Sequence, residues 1–172
     1  MPIGEGVAVT PLQMASLYAA IANKGEWIQP HVLDHVHGGP SPKLKHRQLF
    51  SRATTASLVA MLRQVVADGT GLNAQIPGYS VAGKTGTTQK VDPKTHSYCG
   101  NDGHCEYDAS FVGFVPAKHP RAVVLVVVDE PQGDYYGGDV AAPAFREIAT
   151  GVLQHFDVPE DAPGSIPQTT TP

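Results

Sequence analysis

ASFVGFVPAKHPRAVVLVVV, residues 109–128, holds two apolar runs joined by a short turn that is bounded by Pro116 and Pro120. The first run, Ala109 to Val115, has the length and composition of a β-strand, and the second, Arg121 to Val128, is apolar almost throughout. The short connection predicts that the two strands are antiparallel neighbours. Because continuous apolar strands are typical of positions covered on both faces, the second strand is predicted to be central in a sheet.

Amphipathic helices are predicted on both sides of these strands in the sequence. Thr10, followed by Pro11 and Gln13, has the pattern of a helix start, and Ser51 is placed to cap a second helix. The apolar stripes are Met14, Leu17, Tyr18 and Ile21 in the first helix, Leu58, Met61, Leu62 and Val65 in the second, and Phe145, Ile148, Ala149, Val152, Leu153 and Phe156 in a third. With extended segments at Glu26–His37 and Tyr79–Thr88, this order predicts an α+β fold, an antiparallel sheet with helices packed on its faces.

Length and composition favour one domain. The chain has 172 residues, of which 41% are hydrophobic and 16% charged, as in ordinary globular proteins. We assign residues 1–156 to the domain and residues 157–172, which are rich in Pro and Thr, to a disordered tail. A net charge of −4 leaves no basic surface for nucleic acid. The longest apolar run, Ala122 to Val128, is far shorter than the roughly 20 residues of a transmembrane helix.

Two groups of residues allow disulfide or metal chemistry. Cys99 and Cys105 flank a turn-rich stretch, so they can form a disulfide or remain free thiols. Together with His96 or His104 they could also hold a metal, although their spacing is unlike that of zinc sites. A histidine cluster at residues 31, 35 and 37 is a further candidate, but solvated polar positions explain it better. We predict no metal site and no cofactor.

The segment Gly78–Thr85, GYSVAGKT, matches the pattern of a nucleotide-binding phosphate loop. The apolar strand that ends at Asp129 and Glu130 resembles the acidic strand that holds magnesium in such enzymes. A nucleotide hydrolase is therefore one alternative. However, a phosphate loop needs a helix immediately after the Lys, and the residues after Lys84 are β-branched and contain a Gly.

Read as a strand, the same residues form the sequence Lys84-Thr85-Gly86-Thr87. A strand at the border of an acyl-transfer site can place a cation near the nucleophile, which is the task suited to Lys84. Gly86 would leave the backbone bare, so that a peptide substrate can lie against it. The hydroxyls of Thr85 and Thr87 could bind a substrate carboxylate. The K-T-G sequence is the third signature of penicillin-recognising serine enzymes.

Four separated segments extend this similarity over roughly residues 1–156. They are Gly4–Ala15, Pro77–Thr87, Ser110–Pro116, and Tyr135–Gly138 with Ala142–Phe145. In this order they resemble the class B penicillin-binding proteins, the bacterial D,D-transpeptidases of cell division and elongation, and specifically the C-terminal part of their transpeptidase domain. The resemblance implies an enzyme outside the cytoplasmic membrane that cross-links peptidoglycan stem peptides ending in D-Ala-D-Ala. It also implies a membrane anchor elsewhere in the parent protein and divisome or elongasome partners.

The resemblance implies roles for individual residues. Lys84 would take part in proton transfer, and the backbone N–H of Thr87 would contribute to an oxyanion hole. The hydroxyls of Thr85 and Thr87 would bind the carboxylate of the substrate or of a β-lactam, and the Cys99 to Cys105 segment would lie at the rim of the cleft. A disulfide there would suit an exported protein.

The sequence departs from the family pattern in one important respect. Such enzymes also need a Ser-x-x-Lys motif, which supplies the nucleophile, and a Ser-x-Asn motif, and neither occurs in these 172 residues. Without a nucleophile no acyl-enzyme forms, so we expect the chain alone to be inactive. A non-catalytic interaction module that keeps this half of the fold is a third hypothesis.

Overall fold

The computed structural model describes residues 7–35, 37, 39–100 and 103–164. Within these residues the elements are α1 (Pro11–Ala22), β1 (Glu26–Ile28), β2 (His46–Gln48), α2 (Arg52–Ala67), β3 (Ala82–Gln89), β4 (Tyr107–Val115), β5 (Ala122–Asp129) and α3 (Gly137–His155). Strands β3, β4 and β5 form an antiparallel sheet, and β1 pairs with β2 in a separate ribbon. The predicted α+β architecture is confirmed. Residues 4–6 of the first resemblance segment lie outside the described residues.

The first two helices begin at the predicted caps. The Thr10 side chain accepts a hydrogen bond from the Gln13 amide at 3.2 Å, and the Gln13 side chain accepts one from the Thr10 amide at 2.8 Å. The Ser51 hydroxyl accepts a hydrogen bond from the Thr54 amide at 3.0 Å. Both arrangements satisfy backbone donors that would otherwise lack a partner in the first turn.

The two faces of the main sheet are covered by different helices. On one face, which we call the α3 face, Phe111 and Val115 of β4 pack against Phe145 and Leu153 of α3. On the other, the α1 face, a second apolar cluster joins strand residues to α1 and α2; its buried members are Tyr18, Ile21, Ala82, Val112, Phe114 and Ala117. Alternation along each strand therefore sends neighbouring residues into two separate clusters.

Strand β5 does not occupy the predicted position. The strand order is β3-β4-β5, so β4 is central and, among the described residues, β5 is hydrogen-bonded on one side only. The apolar run does reflect coverage of both faces, because Val124 packs against one cluster and Leu125 against the other. Coverage of the faces and pairing of the edges are separate properties, and the composition of β5 indicates only the first.

Several residues of the predicted stripes point away from the core. Met61 is 58% exposed, Ile148 49% and Phe156 64%. The buried line of α2 instead includes Thr55 and Val66, and the Thr55 hydroxyl donates to the carbonyl of Ser51 at 2.9 Å. A polar residue can thus lie on the buried face because its hydroxyl is hydrogen-bonded to the backbone one turn earlier. A pattern of apolar residues in the sequence does not predict such a position.

Two further segments differ from the predictions. The Glu26–His37 segment was predicted as extended, but only Glu26–Ile28 is a strand, and its partner His46–Gln48 was not anticipated. Residues 157–164 fold back onto the domain and are hydrogen-bonded to it, whereas the sequence predicted a disordered tail from residue 157. Residues 165–172 lie outside the described part of the chain. None of the described helices is long and apolar enough to cross a membrane.

Candidate active site

Strand β3 carries the four residues of the K-T-G-T sequence in its middle. It runs antiparallel to β4, with Lys84 opposite Val112 and Thr87 opposite Ala109. The strand continues through Gln89, so Lys84 is not followed by a helix. The phosphate-loop alternative is therefore wrong, because the free N–H groups of a helix start that would bind phosphate are absent from this position.

Lys84 and Thr85 start from opposite faces of the sheet but meet at its edge. The Lys84 ammonium donates to the carbonyl oxygen of Thr85 at 2.9 Å and lies 3.3 Å from its hydroxyl. The long lysine side chain thus reaches both the backbone carbonyl and the hydroxyl of its neighbour. Partial burial lowers the pKa of Lys84, because desolvation disfavours the charged form.

The two threonine hydroxyls lie on the α3 side of the strand and are held in place. The Thr85 hydroxyl is 2.7 Å from the hydroxyl of Thr70, which follows α2. The Thr87 hydroxyl accepts a hydrogen bond from the amide of Gly137, at the start of α3, at 3.1 Å. Each hydroxyl is thus oriented by a neighbour outside β3, which reduces the entropy that would be lost when a ligand binds.

Small residues allow close backbone contacts around Gly86. A Cβ atom on Gly86 would lie 2.5 Å from the hydroxyl oxygen of Ser110, which is its partner across the ladder. A Cβ atom on Gly137 would collide with the carbonyl oxygens of Gly86 and Ser110. The start of α3 therefore lies almost directly on the backbone of β3 and β4, which brings the Gly137 amide within reach of Thr87.

A groove of about 790 Å³ opens on the α1 face beside this strand. Five residues of β3, namely Lys84, Thr85, Gly86, Thr88 and Gln89, form one side, and the polar residues Asp108 and Ser110 of β4 lie next to them. The remaining lining residues come from β4 and β5, from α1 and the residues before it, and from the loop after β3; they include Val112, Leu125, Val127, Thr10, Met14, Tyr18, Val91 and Tyr98. The groove thus exposes the K-T-G part of β3 on this face, where an extended peptide could lie against the strand.

The predicted cysteine and histidine sites have clear outcomes. Cys99 and Cys105 form a disulfide with a Cα–Cα distance of 4.3 Å, so they are not available as metal ligands. Residues Asn101 and Asp102 of the intervening turn lie outside the described residues. Among the residues that the structure describes, no group of three or more His, Cys, Asp or Glu side chains could hold a metal ion.

Some neighbours of the site are not predicted as site residues from the sequence. Thr70 lies in the segment that ends α2, and Ser110 has only the pattern of a strand residue. Tyr107, Tyr135 and Tyr136 form a stack with ring centroids 4.2 and 4.5 Å apart. No sequence signal marked Thr70, because its contact with Thr85 depends on how α2 packs. Ser110 could have been found from the strand register.

Comparison with known proteins places the chain in a family. The sequence model of the penicillin binding protein transpeptidase domain matches residues 1–150. Penicillin-binding protein PbpB of Mycolicibacterium smegmatis is 36% identical over 92% of this chain and 26% of its own length. Peptidoglycan D,D-transpeptidase FtsI of Escherichia coli is 37% identical over 92% of this chain and 26% of its own length. The chain thus spans about a quarter of the length of these relatives.

Solved structures give the same result. Penicillin binding protein 3 of Mycobacterium tuberculosis complexed with aztreonam matches with a TM-score of 0.79 and 35% identity, over 98% of this chain and 40% of that one. The same protein complexed with ampicillin matches with a TM-score of 0.80 and 33% identity, over 100% of this chain and 40% of that one. With the family match over residues 1–150, these similarities establish that the chain belongs to the transpeptidase family of penicillin-binding proteins, within class B.

Proposed function

We propose that this chain forms the K-T-G side of the active site of a peptidoglycan D,D-transpeptidase, as the C-terminal part of its transpeptidase domain, with residues 1–156 as the main domain portion and residues 157–164 packed against it. The observation that carries the proposal is the group of Lys84, Thr85 and Thr87 around the bare backbone of Gly86. A partly buried cation, fixed hydroxyls and an accessible strand are the features that an acyl-transfer site for peptides needs beside its nucleophile.

The reaction we propose has two acyl transfers. A serine attacks the carbonyl carbon of the penultimate D-alanine in a D-Ala-D-Ala stem peptide, and the terminal D-alanine leaves with a proton. The amine of a second stem peptide then attacks the acyl-serine, which forms the cross-link and restores the serine hydroxyl. Because none of the 172 residues forms a Ser-x-x-Lys motif, the serine must come from residues outside this sequence.

Each residue of the site has a proposed role. The lowered pKa of Lys84 makes its ammonium a better proton donor, which suits a group that exchanges protons with the reacting serine and leaving amine. The Thr87 amide would stabilise the oxyanion of the tetrahedral intermediate. The hydroxyls of Thr85 and Thr87 would donate to the terminal carboxylate of the peptide, or to the carboxylate of a β-lactam.

The proposed setting is the extracytoplasmic side of the bacterial membrane. Stem peptides are the substrates there and β-lactams the inhibitors, which agrees with the aztreonam and ampicillin complexes of the related protein from Mycobacterium tuberculosis. A membrane anchor would lie outside this sequence. Proteins of the division or elongation machinery are the proposed partners, and the name FtsI of the relative from Escherichia coli supports a role in division.

Labelling with a fluorescent penicillin tests this function. The full-length protein is expected to become acylated, and Lys84→Ala should lower the acylation rate by about 10²–10⁴-fold, the usual contribution of a proton-transfer group. Lys43→Ala removes an exposed lysine far along the chain from β3 and serves as the matched control. An acylation rate for Lys84→Ala equal to that of the control would contradict the proposal.

A further inference from the structure

The residues after α3 turn back and run along the entry to β3. Asp157 adopts a left-handed conformation with φ of 47°, and the Val158 amide then donates to the carbonyl of Leu153 at 3.0 Å. The Tyr79 hydroxyl donates to the carbonyl of Val158 at 2.6 Å. Farther on, the Ala162 amide donates to the carbonyl of Gly78 at 3.0 Å. We call residues 157–162 the strap.

Asp161 is the strongest link between the strap and the strand entry. Its carboxylate accepts a hydrogen bond from the Ser80 amide at 2.7 Å and a second, short one from the Ser80 hydroxyl. Hydrogen bonds to an ionised acceptor are about twice as strong as neutral ones. The carbonyl of Asp161 also accepts from the Lys118 ammonium at 2.7 Å, so the same residue is held from two sides.

Ser80 connects three segments of the chain. Besides its bonds to Asp161, its carbonyl and its hydroxyl both accept from the Ala117 amide, at 2.7 and 3.0 Å. Ala117 lies in the turn between β4 and β5. Ser80 is 9% exposed, and a buried hydroxyl without partners would be costly. The strap therefore completes a polar junction at the exact place where the chain enters β3.

The junction lies at the start of β3, a strand with few hydrogen-bonded neighbours. Among the described residues, β3 is hydrogen-bonded to β4 on one side only, and Lys84 follows Ser80 by four positions. Farther along β3, the Gly137 amide donates a hydrogen bond to the Thr87 hydroxyl at 3.1 Å. The K-T-G-T residues thus lie between two anchors, the strap upstream and the start of α3 downstream.

We propose that Asp161 is a positioning residue for the transpeptidase site. It acts through Ser80 and fixes the position of β3, and with it the distances from Lys84 and Thr87 to the reacting groups. The strap lies beyond the residues that match the family model, 1–150, and contributes no group to the reaction itself. The inference rests on the proposed function, because it assigns Asp161 a part in the same reaction.

Two measurements on the full-length protein test the inference. Hydrogen exchange of the peptide that covers residues 82–89 reports the strand directly and does not need activity. The rate of acylation by a fluorescent penicillin, measured well below the unfolding midpoint of each variant, reports the site. The test variant is Asp161→Ala, and the matched control is Asp157→Asn, which removes a charge from the same strap at an exposed position and tolerates the left-handed conformation.

For Asp161→Ala we expect exchange at residues 82–89 to rise several-fold while β5 exchanges as in the parent protein. Acylation should slow by about 10-fold, because the shift of the strand is expected to be smaller than the 1 Å misplacement that can cost about 100-fold. A merely structural role would lower the unfolding midpoint without selectively loosening β3. If Asp161→Ala fails to fold, Ser80→Ala removes the hydroxyl, and with it the side-chain bond to Asp161 and one bond from the Ala117 amide. It keeps the bond from the Ser80 amide to Asp161 and should give the same pattern with a smaller amplitude.

The outcomes separate this inference from the proposed function. Unchanged exchange at residues 82–89 in Asp161→Ala overturns the anchoring, and raised exchange with an unchanged acylation rate overturns the positioning role. A parent protein that is never acylated refutes the proposed function, while raised exchange in the variant would still support the anchoring. The Asp157→Asn control should match the parent protein in both measurements, and an equal effect there would overturn the assignment to Asp161.

Discussion

The two faces of the β3–β5 sheet differ in how completely they are covered. On the α3 face, Phe111, Val115 and Phe145 are fully buried and their neighbours fill the space between sheet and helix. On the α1 face, one end of the sheet is buried at Ala82 and Phe114. The other end opens into the groove. There the lining of β4 changes from Val112 to the polar residues Ser110 and Asp108, whereas β5 contributes only the apolar residues Leu125 and Val127.

This difference shows how one set of strands supports both stability and chemistry. Because successive side chains alternate between faces, β3 can direct Lys84 and Gly86 to the groove while the Thr85 hydroxyl contacts Thr70 and the Thr87 hydroxyl contacts the start of α3. Burial of apolar area on the α3 face stabilises the sheet. On the groove face, partial burial of the Lys84 ammonium slightly lowers the stability of the sheet, because desolvation of a charged group is unfavourable. The same desolvation lowers the pKa of Lys84.

The largest predicted effect on stability comes from removing a ring on the α3 face. Phe145→Ala should lower the free energy of unfolding by about 3–5 kcal/mol. The Phe145 side chain is fully buried and its ring centroid lies 4.7 Å from that of Phe111, so the surrounding helix and sheet cannot close the cavity. Urea denaturation followed by circular dichroism measures the change.

The matched control for this prediction is Ile148→Ala. Ile148 lies on the same helix but is half exposed, so its truncation should cost no more than about 1 kcal/mol. Equal losses for the two variants would show that the α3 face is not the main source of stability, and the contrast between the two faces would then be wrong.

Part of this architecture can be predicted from the sequence. Local patterns identify the caps at Thr10 and Ser51 and the strand character of residues 109–115, because these depend on neighbours within one turn or one strand. The K-T-G-T residues can also be located, since the local sequence after Lys84 disfavours a helix. The long polar excursion after β3 and its cysteines likewise stand out in the chain.

Other features depend on contacts between distant segments and cannot be read from local patterns. Among the described residues, the order of β3, β4 and β5 depends on which strands pair, and the contact of Thr70 with Thr85 depends on how α2 packs on β3. The strap is a similar case. The Pro- and Thr-rich composition of residues 157–172 suggests disorder, yet Asp161 is hydrogen-bonded to Ser80 and Lys118, which lie far away in sequence.

An intermediate effect is predicted for a pair of glycines that face opposite sides of the sheet. On the α3 face, a Cβ atom on Gly113 would lie 2.8 Å from the carbonyl oxygen of Ala82 and close to the rings of Phe111 and Phe145. Because backbone and packed rings cannot move freely, Gly113→Ala should lower the free energy of unfolding by about 1–3 kcal/mol. Urea denaturation again provides the measurement.

Gly86→Ala is the counterpart on the groove face. The added methyl group would meet the Ser110 hydroxyl, a small side chain beside open space, so the loss of stability should stay below about 1 kcal/mol. The same methyl group would obstruct a peptide lying on β3, and acylation by a fluorescent penicillin should slow. A larger loss of stability for Gly86→Ala than for Gly113→Ala would reverse the assignment of the two faces.

The last prediction concerns α1, the helix that partly covers the groove face. Thr10→Ala removes the side chain that accepts from the Gln13 amide and should lower the free energy of unfolding by about 1 kcal/mol, whereas Thr10→Ser keeps the cap and should change it by a few tenths at most. Since α1 packs on the less completely covered face, we expect hydrogen exchange to rise in Pro11–Ala22 and to stay unchanged in α3. Equal increases in both helices would mean that the two faces unfold together, and that the open groove leaves α1 no less stable than α3.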